Sequence, residues 1–280
     1  MGCSPVTRPQ VSRSRASPGR ASASPRCPTS ATPAATRPAT GRVVRTGLLY
    51  RSSQPAKVKP ADVGKLAALG LKTDFDLRTA AERKAAPDEL PPGVREVWLD
   101  VLADSKQDAP ARIGKLLKTP KEATAELGGG KAEALLAGIY REFVSLPSAR
   151  KELGRLYRDL AAAENLPAVV HCTSGRDRTG WAAAALLTLL GVPEETVRAD
   201  FLRSNDHLMP LYRPSIEAFA KAGGDPAVLT AVVSVKAEYL AAALDEVMVR
   251  YRTIEDYFAK GLDVDAAGRA ALRDRFLARD

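Results

Sequence analysis

Three cysteines, two histidines and no run of 18 apolar residues set the first limits on this chain of 280 residues. Cys3 and Cys27 fall in its first 30 residues, so Cys172 is the one thiol in the remainder. That excludes a disulfide framework there and fits a reducing, cytoplasmic compartment. With so few Cys and His a catalytic metal site lacks ligands, and no cofactor is expected. Without a long apolar run there is no transmembrane segment.

Residues 1–61 contain no Asp or Glu, and residues 1–40 no aromatic, Leu or Ile. This stretch of Ser, Pro, Arg, Ala, Thr and Gly cannot bury enough surface to offset the entropy of ordering, so residues 1–41 read as a disordered basic tail. It lacks the apolar core of a secretory signal and the apolar stretch a lipoprotein signal places before its Cys. Val6 stands where a myristoylation signal wants Ser or Thr. The tail also explains the net charge of +9: of 42 Lys and Arg, 11 lie within residues 1–61, which leaves 31 against 33 acidic side chains. The basicity is therefore no sign of nucleic-acid binding by the rest of the chain.

What is present begins near Arg42, and residues 42–280 read as one domain with enough apolar content for a full core. VVRTGLLYRSSQP has strand composition and ends in a turn signal, and ADVGKLAALGL has helical spacing. KTDFDLRT and VREVWLDV are further strands. Strands alternating with helices imply an α/β fold, a mostly parallel sheet flanked by helices. Residues 109–164 read as helices broken at LGGGK; Gly128, Gly129 and Gly130 are either an ordinary loop or the hinge of a helical cover over a site. Glu194–Asn205 follows, then one long amphipathic stretch from Ala227 to Arg250 and a terminal helix pair around Ile254–Leu277.

The stretch VVHCTSGRDRTG, Val169–Gly180, sits between an apolar strand and an alanine-rich helix. A thiol becomes a good nucleophile when a helix N-terminus, cations and converging backbone N–H groups lower its pKa, and this loop offers all three to Cys172. The N–H groups of Thr173, Ser174, Gly175, Arg176, Asp177 and Arg178 would turn inward around an anion, with Gly175 permitting the tight turn. Arg178 has the two-pronged donor set that matches a tetrahedral phosphate, and Thr179 can donate to the thiolate. The chemistry that fits is phosphoryl transfer to sulfur and hydrolysis of the resulting cysteinyl phosphate. A buried inert Cys, a silent phosphate-binding module and a sulfurtransferase are the competing readings. For the proton donor, Asp177 lies in the loop, Asp76 ends a strand on the same sheet edge, and Asp100 comes third. His207 reads as a helix-surface residue.

The run HCTSGRDRTG resembles the signature of the cysteine-dependent phosphatases, and within them the atypical bacterial tyrosine and phosphoinositide phosphatases with HCxxGKDRTG. TGLLYRSSQP, DLRTAAER, DFLRSN and YLAAALDEVMVRYRTIEDYFAKGL are similar to that family too, so the likeness runs from about Arg42 to the C-terminus. The resemblance implies a tyrosine-phosphatase-like fold, with Cys172 as nucleophile, Arg178 as phosphate ligand, His171 supporting the thiolate and Gly180 among the substrate-binding residues of the loop. The substrate it implies is a phosphorylated protein or a phosphoinositide. Arg176 departs from the family's Lys, keeping charge while changing reach.

Relatives place a strand segment of the form N-x-R-D-x-G-G-Y-x-T-x-D-G just before GRVVRTGLLYRSSQP. Here that place holds TSATPAATRPATG, Thr29–Gly41. Codons for those residues, with third bases free and read one base earlier, can spell N-V-R-D-P-G-G-Y-A-T-R-D-G. The tail is therefore expected to be an out-of-frame reading that deprives the sheet of an edge partner. The nucleotide sequence, or mass spectrometry of the native N-terminus, decides this.

Overall fold

The computed structural model describes residues 30–31, 41–58, 60–105 and 109–279. The expectations of tail disorder and of a frame slip lie outside the described residues, except at Ser30–Ala31 and Gly41. Strands β1 (Ser30–Ala31), β2 (Arg42–Val44), β3 (Leu49–Ser53), β4 (Thr73–Asp76) and β5 (Arg95–Trp98) come first, with α1 (Pro60–Ala68) after β3 and α2 (Ala80–Ala85) after β4. Helices α3 (Ala109–Leu116), α4 (Pro120–Leu127), α5 (Lys131–Ser145) and α6 (Pro147–Ala161) lead to β6 (Ala168–Cys172) and α7 (Asp177–Leu189). The chain ends with α8 (Glu194–Leu202), α9 (Ser204–Lys221), α10 (Pro226–Val233), α11 (Ala237–Tyr251), α12 (Ile254–Asp256), a π-helical turn, α13 (Ala266–Phe276) and β7 (Leu277–Arg279).

The main sheet has the order β1-β3-β6-β4-β5. Its last four strands are parallel, and β1 runs antiparallel to β3, covering two residues of the edge expected to be unpaired. This is the α/β arrangement the alternating pattern implies. All five residues of β6 are buried, as befits a strand hydrogen-bonded on both sides and covered on both faces.

Three boundaries differ from the sequence reading, each for a tertiary reason. VVRTGLLYR is two strands: Gly47, at φ +77°, breaks it, and β2 leaves the main sheet to pair with β7, which the local pattern does not mark. The stretch from Ala227 to Arg250 is two helices. Asn205 accepts from the Val235 N–H and donates to its carbonyl, so the backbone between α10 and α11 is satisfied outside a helix. The glycine break joins α4 to α5, and α5 buries Leu136, Ile139, Tyr140 and Phe143 in the core. Such a helix cannot lift without opening the core, which confines any cover to α3 and α4.

Helix α7 packs on β6 and β3 with nearly all its side chains buried, from Arg178 through Leu189. Its small face, Ala182–Ala185, lets the helix lie close to the sheet, while Trp181 is fully enclosed. The start of the helix is thereby held where β6 ends. No helix among the described residues is by itself long and apolar enough to cross a membrane.

Candidate active site

Strand β6 delivers Cys172 to the carboxyl edge of the sheet, and only four residues separate it from α7. Gly175 makes that turn possible in two ways. Its φ is +66°, and a Cβ there would come within 2.3 Å of the Ser52 carbonyl oxygen. The loop is pinned to its neighbours on both sides: the Gln54 N–H donates to the Thr173 carbonyl at 3.2 Å, and the Leu77 N–H to the His171 carbonyl at 2.9 Å.

Cys172 is 1% exposed. Burial pushes a thiol up, but the Arg178 charge, the Thr179 hydroxyl and the Thr179 backbone N–H outweigh it, and its pKa lies below the ordinary thiol value. The Thr179 hydroxyl is buried and has no other hydrogen-bond partner among the described residues, which leaves it available to the sulfur.

Arg178 is held by a residue that the sequence reading missed. Its Nη1 and Nη2 each donate at 2.7 Å to an oxygen of Glu82, and Nη1 also donates to the Leu77 carbonyl at 3.3 Å. This uses the end of the guanidinium. The Nε–Nη2 edge has no further hydrogen-bond partner among the described residues and presents two parallel donors, the number a phosphate needs for a bidentate grip. Glu82 also accepts from the Thr173 hydroxyl and closes a capping box with Thr79 at the start of α2. Burial alone would raise its pKa; Arg178 and Thr173 instead bring it down to about 2. The signal was in DLRTAAER, where T-x-x-E is a capping box, but no local pattern says that the same carboxylate reaches Arg178.

The three acid candidates are separated by their surroundings. Asp177 accepts from the buried Tyr140 hydroxyl at 2.9 Å and from Arg176 Nε at 2.8 Å, so both its oxygens are engaged beside the loop. Tyr140 is carried by α5 and packed against Phe143, Phe201 and Tyr239. Asp76 is fully buried, accepts from Arg78 N, Nε and Nη2, and pairs with Arg83 at 2.9 Å. Burial is outweighed there by Arg78 and His171, its pKa is lowered, and the residue anchors the loop after β4 with no proton to give. Asp100 follows β5 and accepts from Leu102 N at 3.1 Å and Ala80 N at 3.3 Å. Desolvation raises its pKa against the pull of those two N–H groups and of Arg178.

Of the other residues expected at the site, His171 is wholly buried beneath the loop, Arg176 is nearly so, and Ser174 and Thr173 reach the surface. Gly180 leaves room for the Phe201 ring, which would lie 3.0 Å from a Cβ. His207 is exposed, lining a small cleft with Arg203 and Ser174.

Comparison with known proteins places this geometry in a family. A model described as the tyrosine phosphatase family matches residues 34–278. A Cupriavidus necator protein named "Putative tyrosine-protein phosphatase" is 31% identical over 238 residues, covering 85% of this chain and 81% of that protein. The triple specificity protein phosphatase PtpB of Mycobacterium tuberculosis is 31% identical over 242 residues, covering 78% of this chain and 87% of PtpB. Among solved structures, TpbA of P. aeruginosa is similar at 19% identity with a TM-score of 0.34, over 73% of this chain and 97% of TpbA. The chain that forms this parallel sheet, with a buried, acidified thiol beside an arginine, thus matches the family model over nearly all of its described residues, and the protein belongs to the tyrosine phosphatase family as a protein-tyrosine-phosphatase-like hydrolase.

Proposed function

We propose that the protein hydrolyses phosphate monoesters through a cysteinyl-phosphate intermediate on Cys172. The observation that carries this is a thiol acidified in spite of complete burial, at the N-terminus of α7 and beside an Arg with one free two-donor edge. In the first step Cys172 Sγ attacks phosphorus and the ester P–O bond breaks, the leaving oxygen taking a proton from a carboxylic acid. In the second, water attacks phosphorus, the S–P bond breaks, and the water's proton returns to that acid. Arg178 and the loop N–H groups hold the equatorial oxygens through both steps. His171 lies under the loop and supports the thiolate.

Asp177 is the proton donor in this reading because it sits in the loop itself. A specific observation favours a second reading in which Asp100 is the donor: burial raises its pKa, and the charges of Arg178 and Glu82 both act on it. The substrates are phosphotyrosine and, with Arg176 and Arg178 both in the loop, phosphoserine, phosphothreonine and phosphoinositides; the triple specificity in the name of PtpB supports this breadth.

The test is a substrate panel of phosphotyrosine peptide, phosphoserine peptide and phosphoinositides, with acid-quench trapping of the phosphoenzyme. Labelled phosphate on Cys172 during turnover is expected. Turnover with no trapped phosphoenzyme in wild type or in the donor variants sinks the covalent mechanism, and turnover of phosphotyrosine alone sinks the breadth.

A further inference from the structure

A strand at the centre of a parallel sheet is normally an apolar run, since both faces are covered. Strand β4 instead reads T-D-F-D with every residue buried. Alternation sets Phe75 on one face and Asp74 with Asp76 on the other, in register with Val169 and His171 of β6. Burying a carboxylate is costly unless it is paired, so two on one strand need a reason.

The reason is one histidine. His171 Nε2 lies 3.2 Å from Asp74 Oδ2, 3.6 Å from Asp88 Oδ2 and 3.9 Å from Asp76 Oδ1. Its Nδ1 lies 3.3 Å from the Cys172 carbonyl oxygen. Both ring nitrogens thus face oxygen acceptors, a demand only the doubly protonated ring meets. Four acids, Asp74, Asp76, Asp88 and the more exposed Glu96, face three cations: Arg78, bound to Asp76 and Asp88; Arg83, bound to Asp76 and Glu96; and His171 itself. The nearby Glu82 is committed to Arg178.

We propose that Asp74 is a positioning residue for the phosphate loop: by accepting from His171 Nε2 it makes the imidazole a cation whose Nδ1 donates to the Cys172 carbonyl, fixing the first peptide of the loop and supporting the thiolate. The role rests on Cys172 being the nucleophile. Asp74 is the acid suited to it, because Asp76 is saturated by arginines and Asp88 is shared with Arg78. The charges around the ring support the same assignment: burial pulls His171 down, Asp74 and its neighbours pull it up to about 9, while burial lifts Asp88 to about 6. Asp88 therefore titrates in the working range, and it needs its own control.

The chain has two histidines, so ring NMR signals are assigned with a His207→Gln variant. In wild type His171 is expected to carry protons on both nitrogens through pH 8. In Asp74→Asn its titration should fall by at least about one pH unit, while Asp74→Glu should retain the cation. Alkylation of Cys172 by iodoacetamide, in a background with Cys3 and Cys27 changed to Ser, reads the thiolate. Its midpoint should rise by about half a unit in Asp74→Asn, which is about three-fold slower alkylation below the midpoint. Asp88→Asn should leave the His171 cation in place. A singly protonated His171 in wild type at pH 7 overturns the proposal without any variant. So does an unmoved His171 titration in folded Asp74→Asn, or a cation lost with no change in alkylation. None of these readouts uses turnover, so they decide the role of Asp74 even if the cysteinyl-phosphate mechanism fails.

Discussion

Two segments build the candidate site, and they differ in how they hold it. The first, β6 to α7, is continuous: Cys172, the turn at Gly175, Arg178 and Thr179 lie within eight residues, and backbone geometry alone brings them together. The second, Asp74 to Asp88, contributes Asp74, Leu77 and Glu82, which reach His171, Arg178 and Thr173 because β4 pairs with β6 in parallel register. The contiguous segment presents the thiol and the guanidinium proposed to act on phosphate, while the distant one surrounds them with buried charges. A short loop can place a nucleophile, but it cannot supply the counter-charges that keep a guanidinium and an imidazole facing the right way.

The largest effect should come from the first segment. Cys172→Ser is expected to remove turnover by roughly four decades or more while vanadate still binds, because the backbone cup survives and only the thiolate is lost. Measurable turnover near the wild-type rate would break the comparison at its root. Next, Arg178→Lys replaces a fork held by Glu82 with a point charge, and kcat/KM should fall at least about a hundred-fold.

Of the two donor candidates Asp177 lies in the first segment and Asp100 beyond the second, after β5, and leaving-group dependence sharpens which one holds the role. Asp177→Asn should lower kcat by roughly two decades with an alkyl phosphate and far less with a nitrophenyl ester, whose leaving group needs no proton. If Asp177→Asn affects both esters equally and Asp100→Asn shows the split, the donor belongs to the strand β5 side.

The smallest and most diagnostic effect is on Glu82. Glu82→Gln keeps shape and one acceptor but removes the charge opposite Arg178, so kcat/KM should fall about ten-fold with loss of about 2 kcal/mol of stability at neutral pH. The sign follows from linkage. The Glu82 pKa is about 2 in the fold against an ordinary 4.5, so its contribution is full above about pH 4.5 and disappears as pH falls toward 2. Urea midpoints of wild type and Glu82→Gln should therefore differ at pH 7 and converge at pH 2. A constant difference across that range would assign Glu82 a packing role alone.

Much of the architecture was legible because it is local. Periodicity marks β3, β4, β5 and α1, the alternation of strands and helices implies the parallel sheet, and the HCTSGRDRTG run marks the strand-to-helix cup. The failures were all matters of partnership. β2 and β7 find each other 235 residues apart at Val43 and Ala278, and Asn205 breaks the helix at Val235 from another element. Asp76, read as a candidate acid from its place at a strand end, is locked by Arg78 and Arg83.

By itself, then, the sequence determined which groups stand together at the strand-to-helix turn: a Cys at the end of an apolar strand, a Gly that permits the turn, and an Arg one residue into a helix, all placed by bond lengths and backbone angles over a few residues. Only the tertiary structure decided how those atoms are charged and aimed. The field at a buried thiol, guanidinium or imidazole depends on every group within a few ångströms, and here those groups, Glu82, Asp74 and Tyr140, arrive from strands and helices far away in the chain.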